Sequence, residues 1–223
     1  MPVIYLVRHA QSTANTKGVL AGQDYAVGLS DQGSKQAKAL VKVIEQLRPS
    51  RIFCSPLTRC KETIDPYLSK YPNCKFEFRE ELIEMDYGSW SGKKLNHLQG
   101  KKDWRLVQNV PSKFTFPNGE SFKSLRRRVE LILKGVSKEK GPLMFVTHGD
   151  VIKMALSIAS NSKLDDFQRF IVEPGSISTI NYGLTKSSII SSNNFAPKSF
   201  VNVVNQVALG GGDIIKKLRW FRR

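Results

Sequence analysis

Two histidines and two arginines follow short apolar segments of this sequence. Arg8 and His9 come directly after the apolar residues 3–7. Arg59 and His148 come after two later segments of the same kind. In an open α/β sheet, ligands bind outside the carboxyl ends of the strands, so these side chains are expected to meet there. Arginine binds phosphate oxygens through two parallel donors, and a neutral imidazole can attack phosphorus. The pattern therefore predicts a site for a phosphate ester.

The surrounding segments alternate between strand and helix patterns. Short apolar or alternating runs predict strands over residues 3–7, 51–55, 75–79, 142–147, 177–182 and 199–205. Helical spacing of apolar residues predicts helices over residues 31–47, 57–68, 122–136 and 151–159. Strands that alternate with helices are typical of an α/β fold with a largely parallel sheet.

Length and composition favour a globular protein without a membrane span. The chain has 223 residues, which is enough for one substantial α/β domain with a sizeable core. It contains no run of 18 apolar residues, and its first residues lack the basic region of a signal peptide. Cys54, Cys60 and Cys74 are an odd, scattered set, which argues against a disulfide framework. A reducing compartment, the cytoplasm, is therefore expected.

The formal net charge of +16 admits two interpretations. It indicates an anionic partner, such as a phosphate ester, nucleic acid or a membrane surface, or it reflects general solubility. Residues 92–119 are rich in lysine and are expected to form a basic insertion with short helices over the site. Residues 208–223 include a triple glycine and several cationic residues, and they predict a basic C-terminal extension. The main domain is then expected to cover residues 1–207.

Six motifs resemble those of the histidine phosphatase superfamily, also called the phosphoglycerate mutase-like family, and they occur in the family's order. The resemblance covers about residues 2–182. The motifs are LVRHAQSTAN (6–15), LSDQG (29–33), SPLTR (55–59), EMDYGSWSG (84–92), PNGES (117–121) and THG (147–149).

The resemblance implies a three-layer α/β/α sandwich with a mostly parallel central sheet, and a site that uses no metal or other cofactor. It implies that His9 attacks phosphorus and becomes phosphohistidine. Arg8, Arg59 and His148 are then expected to hold the phosphoryl oxygens, and Glu84 to protonate the leaving oxygen. Weaker expectations for substrate binding fall on three further residues, which are Asn15, Ser30 and Gly149.

Four positions bear on how closely the chain follows the family pattern. Ala10 stands where a glycine is usual, and its methyl group is expected to crowd the backbone beside the nucleophile. Gln11 stands where an acid is frequent, and Asp150 stands where a second glycine is common. Asp86 lies two residues from Glu84, so it is a second candidate for the acid.

The leading functional hypothesis is a phosphomonoesterase of the phosphatase branch that acts on a small phosphorylated metabolite. Phosphoglycerate mutase, which would use the same phosphohistidine, is the first alternative. A non-catalytic binder of RNA or another polyanion is the second, and the four matching site residues disfavour it. A zinc site that includes His97 is disfavoured because the three histidines lack close ligand spacing. The expected partners are the substrate and a second copy of the chain in a homodimer, without a membrane or nucleic acid.

Overall fold

A mixed sheet of six strands lies at the centre of the structure, a computed structural model that describes residues 1–194. The spatial order of the strands is β3-β2-β4-β1-β5-β6. The pairs β3–β2, β2–β4 and β4–β1 are parallel, whereas β1–β5 and β5–β6 are antiparallel. The strands are β1 (Val3–Arg8), β2 (Arg51–Cys54), β3 (Phe76–Phe78), β4 (Leu143–Thr147), β5 (Ile177–Asn181) and β6 (Ser188–Asn194).

Helices cover both faces of this sheet, because the buried strands present apolar side chains alternately to each side. Val7 and Val146 belong to the apolar cluster that contains Leu40 of the second helix. Leu6 and Phe145 belong to the cluster on the other face. The helices are α1 (Thr13–Thr16), α2 (Asp31–Leu47), α3 (Thr58–Lys70), α4 (Leu95–Gln99), α5 (Lys102–Asn109), α6 (Phe122–Gly135) and α7 (Gly149–Ala159).

This architecture confirms the predicted three-layer α/β/α sandwich with a mostly parallel sheet. The five strands predicted up to residue 182 and the four predicted helices are present, with shifts of a few residues at their ends. The sequence patterns did not predict α1 and β6. The candidate strand at residues 199–205 and the extension at 208–223 lie outside the described residues, so the domain boundary at residue 207 stays a prediction.

The basic insertion at residues 92–119 packs as an ordered layer. Its helices α4 and α5 bury Leu98 and Val107 in the same apolar cluster as Trp90. Lys94 forms a backbone bridge with Val19, a residue of the loop beside the site. The insertion is therefore anchored next to the site by this bridge. None of the helices within residues 1–194 is long and apolar enough to cross a membrane.

Candidate active site

The carboxyl ends of β1, β2 and β4 bring the predicted side chains together. The parallel register pairs Arg8 with Thr147 and Cys54 with Val146, so the residues that follow these strands lie in one row. The backbone nitrogen of His9 donates to the carbonyl oxygen of Thr147 at 2.8 Å and continues the ladder past the end of β1.

A cavity lies at the carboxyl ends of these strands, and we call it the His9 cavity. Its lining combines an imidazole, a guanidinium and a carboxyl group with small and hydroxyl-bearing residues. The lining residues are His9, Ser12, Asn15, Val19, Ala21, Gly22, Arg59, Glu84 and Tyr87.

The backbone of the next residue fixes the ring of His9. His9 Nδ1 lies 2.7 Å from the carbonyl oxygen of Ala10. A carbonyl oxygen only accepts hydrogen bonds, so Nδ1 carries the proton and Nε2 keeps its lone pair. Burial and the positive charges of Arg59 and Arg8 hold the pKa of His9 well below its ordinary value. The ring is therefore neutral and can act as a nucleophile.

Ala10 supports this arrangement despite its methyl group. Its backbone nitrogen donates to Thr63 Oγ1 at 2.9 Å, while its carbonyl oxygen accepts from His9. Both backbone polar groups of Ala10 are therefore engaged in hydrogen bonds, and the crowding expected from its methyl group stays a prediction.

The ring of His148 meets that of His9 edge to face, with the ring centroids 5.2 Å apart and the planes at 61°. His148 Nε2 lies 2.7 Å from the hydroxyl oxygen of Ser55 and 3.4 Å from the sulfur of Cys60. Burial, with the charge of Arg59, lowers the pKa of His148. Burial raises the pKa of Cys60 to about 12, so this group is a thiol. His148 is held as a second neutral imidazole.

Two buried guanidinium groups concentrate positive charge around His9. Arg8 Nη1 donates to the carbonyl oxygen of Val172 at 2.6 Å. Arg59 donates to the carbonyl oxygens of Gly22 at 2.6 Å and Asp24 at 3.1 Å. These hydrogen bonds hold both guanidinium groups in place. Guanidinium groups are donors whose geometry matches phosphate oxygens.

Glu84 is the carboxyl group that faces this cavity. It is 3% exposed, and Oε1 accepts a hydrogen bond from the backbone nitrogen of Met85 at 3.0 Å. Burial and the negative charge of Asp150 raise the pKa of Glu84 to about 7, against the opposing charges of Arg59 and Arg8. At neutral pH this group can therefore both donate and accept a proton.

Asp86 has a different task. Its Oδ1 accepts a hydrogen bond from the backbone nitrogen of Gly88 at 2.8 Å and closes the turn that follows Glu84. The backbone of Asp86 pairs with Glu120, whose carboxylate forms an ion pair with Arg128 at 2.9 Å. The motif at residues 117–121 therefore supports the acid-bearing loop, and the site geometry favours Glu84 over Asp86 as the acid.

Comparison with known proteins decides the family. The family model described as histidine phosphatase superfamily (branch 1) matches residues 4–194. The chain belongs to this superfamily. The match confirms the resemblance predicted from the motifs.

The relatives of this superfamily member are named as phosphatases. A probable phosphatase of Schizosaccharomyces pombe is 29% identical over 191 residues, covering 83% of this chain and 86% of that protein. Phosphoserine phosphatase 1 of Hydrogenobacter thermophilus is 29% identical over 197 residues, covering 86% and 92%. A phosphoserine phosphatase mutant from Entamoeba histolytica, solved with phosphoserine, has the same fold, with a TM-score of 0.77 at 21% identity. The match covers 86% of this chain and 97% of that one. The family and its relatives support the predicted enzyme class, a hydrolase of phosphoric monoesters.

The three weaker expectations for this histidine phosphatase have different outcomes. Asn15 lines the His9 cavity, and its Oδ1 accepts from the backbone nitrogen of Ser12 at 2.9 Å. Gly149 begins α7 against the guanidinium of Arg8, where an added Cβ would lie 3.4 Å from Nε. Ser30 does not line the cavity. Its hydroxyl instead caps α2 by accepting from the backbone nitrogen of Gly33 at 3.0 Å, as N-terminal serines commonly do.

Two further residues that line the His9 cavity, Ser12 and Tyr87, were not predicted as site residues. Ser12 is the N-cap of α1, and the pattern Ser-x-x-Asn at residues 12–15 could have indicated this cap. Tyr87 carried no such signal, because a tyrosine in a loop is usually a packing residue. Within residues 1–194, no group of three or more His, Cys, Asp or Glu side chains is arranged to hold a metal ion.

Proposed function

We propose that this enzyme hydrolyses a small phosphorylated metabolite through a phosphohistidine intermediate on His9. The observation that carries the proposal is the contact between His9 Nδ1 and the carbonyl oxygen of Ala10, which leaves Nε2 with its lone pair in a buried, positively charged cavity. Glu84 lies in the lining of the same cavity and can supply a proton.

In the first half-reaction, His9 Nε2 attacks phosphorus while the bond from phosphorus to the ester oxygen breaks. Arg59, which lines the cavity, and Arg8 and His148, which lie beside His9 outside that lining, stabilise the charge on the three other phosphoryl oxygens. Such charge stabilisation is most of what phosphoryl transfer needs from a protein. Glu84 gives its proton to the leaving oxygen, so the alcohol departs neutral. The products of this step are phosphohistidine, the alcohol and ionised Glu84.

In the second half-reaction, ionised Glu84 takes a proton from water as the water oxygen attacks phosphorus. The bond from phosphorus to Nε2 breaks, which restores neutral His9 and protonated Glu84 and releases inorganic phosphate. Because Glu84 has a pKa of about 7, it serves as acid in one step and as base in the other.

The substrate class follows from the same features. The His9 cavity is lined by small and polar residues, and the loop beside it is bound to the basic insertion through Val19 and Lys94. The positive charge and the polar lining suit a small anionic ester. The named phosphatases among the relatives support hydrolysis over the mutase reaction. The cysteines of the described part are free thiols, which agrees with the cytoplasmic location that we propose.

Rapid quenching with a phosphoryl-labelled ester tests the intermediate. We expect label on the protein that is lost in acid and kept in alkali, as phosphohistidine requires. His9→Ala should carry no label, whereas His97→Ala, a change at an exposed histidine of α4, should label like the unchanged enzyme. Full turnover by His9→Ala would refute the mechanism.

The same reaction separates the two alternatives. A mutase would pass the label from the protein to added phosphoglycerate rather than to water. A polyanion binder would bind RNA and release no phosphate from any ester in a panel of phosphorylated metabolites. We expect release of labelled inorganic phosphate, and the ester with the highest kcat/KM identifies the substrate.

A further inference from the structure

A second group of buried polar side chains lies behind the His9 cavity. Asp150 and Lys153 lie in the first turns of α7, and Lys153 Nζ is 3.5 Å from Asp150 Oδ1. The hydroxyl group of Tyr87 donates to Asp150 Oδ2 at 2.9 Å. All three residues are buried, and we call them the Asp150 cluster. Because Tyr87 also lines the His9 cavity, the cluster adjoins the site.

The carboxylate of Asp150 is only partly neutralised. A strong charge-assisted bond between nitrogen and oxygen is about 2.7–2.9 Å long, so an ammonium at 3.5 Å is a loose partner. No described residue donates a hydrogen bond to Oδ1. Lys153 also donates to Gln168 Oε1 at 3.2 Å, which directs part of its charge away from Asp150. The buried negative charge therefore acts on its neighbours through a medium of low dielectric constant.

Charged groups face Glu84 from three elements. Arg8, at the end of β1, and Arg59, on α3, favour the ionised form of Glu84, as does its hydrogen bond from the backbone of Met85. Asp150, on α7, opposes them. The other titratable groups around the cavity are uncharged at neutral pH. Burial raises the pKa of Cys60 and Tyr87. Burial lowers the pKa of His9 and His148.

We propose that Asp150 is a positioning residue whose buried negative charge keeps Glu84 in its acid form beside two arginines. This inference rests on the proposed role of Glu84 as the proton donor. Arginines that bind phosphate lower the pKa of a nearby carboxyl group and so favour its ionised form. A carboxyl group that must stay protonated in such a site therefore needs a compensating negative charge nearby. Asp150 supplies that charge from a helix that begins directly after His148.

The same charge serves the second half-reaction. Once Glu84 has given its proton to the leaving oxygen, both carboxyl groups are buried, and the negative charge of Asp150 favours return of a proton to Glu84. Water supplies that proton as it attacks phosphohistidine.

Asp150→Asn tests the inference, because asparagine keeps the shape and can still accept from Tyr87. Glu84 is titrated by carboxyl-carbon NMR, its signal assigned as the one missing in Glu84→Gln. We expect the midpoint of Glu84 to fall by about one pH unit. The basic limb of kcat/KM on an alkyl phosphate should fall with it. Asp86→Asn is the control variant. It removes a carboxylate that lies two residues from Glu84 and accepts a hydrogen bond from the backbone of Gly88, and it should leave the titration midpoint of Glu84 unchanged.

A second variant controls for the loss of the ion pair between Lys153 and Asp150 in Asp150→Asn. Asp150→Asn with Lys153→Gln removes both charges. We expect the same downward shift, because Asp150 contacts Tyr87 of the cavity lining directly, whereas Lys153 contacts Asp150 and Gln168. An unchanged Glu84 midpoint in either folded variant overturns the inference. The titration needs no turnover, so an enzyme with no esterase activity would refute the proposed function while this measurement still decides the role of Asp150.

Discussion

Thr63 Oγ1 accepts a hydrogen bond from the backbone nitrogen of Ala10 at 2.9 Å, which ties α3 to the residue that positions His9. The same hydroxyl group donates to the carbonyl oxygen of Arg59 at 2.6 Å. One buried side chain thus connects the backbone beside the proposed nucleophile with the backbone of an arginine that lines the same cavity. The relative placement of these two groups depends on it.

Thr63→Val should therefore lower activity by misplacing His9. Valine keeps the volume but leaves the buried nitrogen of Ala10 without an acceptor, which lowers the free energy of unfolding by about 1–3 kcal/mol. We expect kcat to fall by about tenfold, less than the roughly 10²-fold that a misplacement of about 1 Å can cost. Steady-state kinetics and urea unfolding measure both effects. Thr63→Ser retains the hydroxyl and should match the unchanged enzyme; equal losses in both variants would contradict this argument.

The acid can be identified by its dependence on the leaving group. Glu84→Gln should lower the rate on an alkyl phosphate by about 10² to 10⁴, since an alkoxide leaves poorly without a proton. It should have much less effect on an aryl phosphate, whose leaving group needs little help. Asp86→Asn should be mild on both esters, because Asp86 closes a turn. If only Asp86→Asn shows the dependence, the roles are reversed.

Stability should fall as the pH falls below about 6.5, the ordinary pKa of histidine. Burial, with Arg59 and Arg8, lowers the pKa of both His9 and His148, so the unfolded chain binds up to two protons that the folded protein does not. Glu84 acts in the opposite direction, because its raised pKa of about 7 gives the folded protein one extra proton over the same range. The net difference of one proton makes the free energy of unfolding rise with pH.

His9→Gln should flatten this dependence, because one of the two depressed histidines is gone. Urea unfolding at pH values between about 5 and 6.5 measures the slope, within the window set by the ordinary values of Glu and His. His97→Gln, at an exposed position of α4, is the matched control and should keep the slope of the unchanged protein. A slope that survives His9→Gln in full would show that acid sensitivity arises elsewhere.

Chelation should leave the rate unchanged. The guanidinium groups of Arg8 and Arg59 supply positive charge where a metal-dependent phosphatase would use a cation. Activity should survive EDTA, and vanadate should inhibit, because it can adopt the five-coordinate geometry of the phosphorus during transfer. Activity that disappears in EDTA and returns with zinc or magnesium would refute the metal-free mechanism.

The sequence predicted the parts of the fold that follow from strong apolar patterns. Residues 3–7 and 142–147 are short, mostly apolar runs that favour buried strands, and the helix over residues 31–47 has a clear apolar face. By contrast, β6 contains mostly serine and asparagine after its first isoleucines, and it lies at the edge of the sheet, where burial imposes little pattern. Helix α1 is only four residues long, too short for periodicity to indicate it.

The site was predicted where strand ends and motifs coincide, which is how His9, Arg59 and His148 were found. Contacts between distant side chains could not be predicted. The hydroxyl of Ser30 matches a family motif, yet it caps a helix. Asp150 and Lys153 form a buried pair inside a helix whose other residues are mostly apolar, and nothing in their spacing distinguishes a buried pair from a solvated one.

The position of β1 at the centre of the sheet has a consequence for biosynthesis. Its neighbours are β4 and β5, so Ile4 pairs with Leu143 on one side and with Ile180 on the other. The strand that precedes His9 is synthesised before β4 and β5, so it acquires both partners only when nearly all of the described chain has been made. Until β5 has been made, β1 has at least one unpaired edge, which is a template for pairing with another chain. The sheet that positions the site is therefore complete around β1 only after β5 has been synthesised.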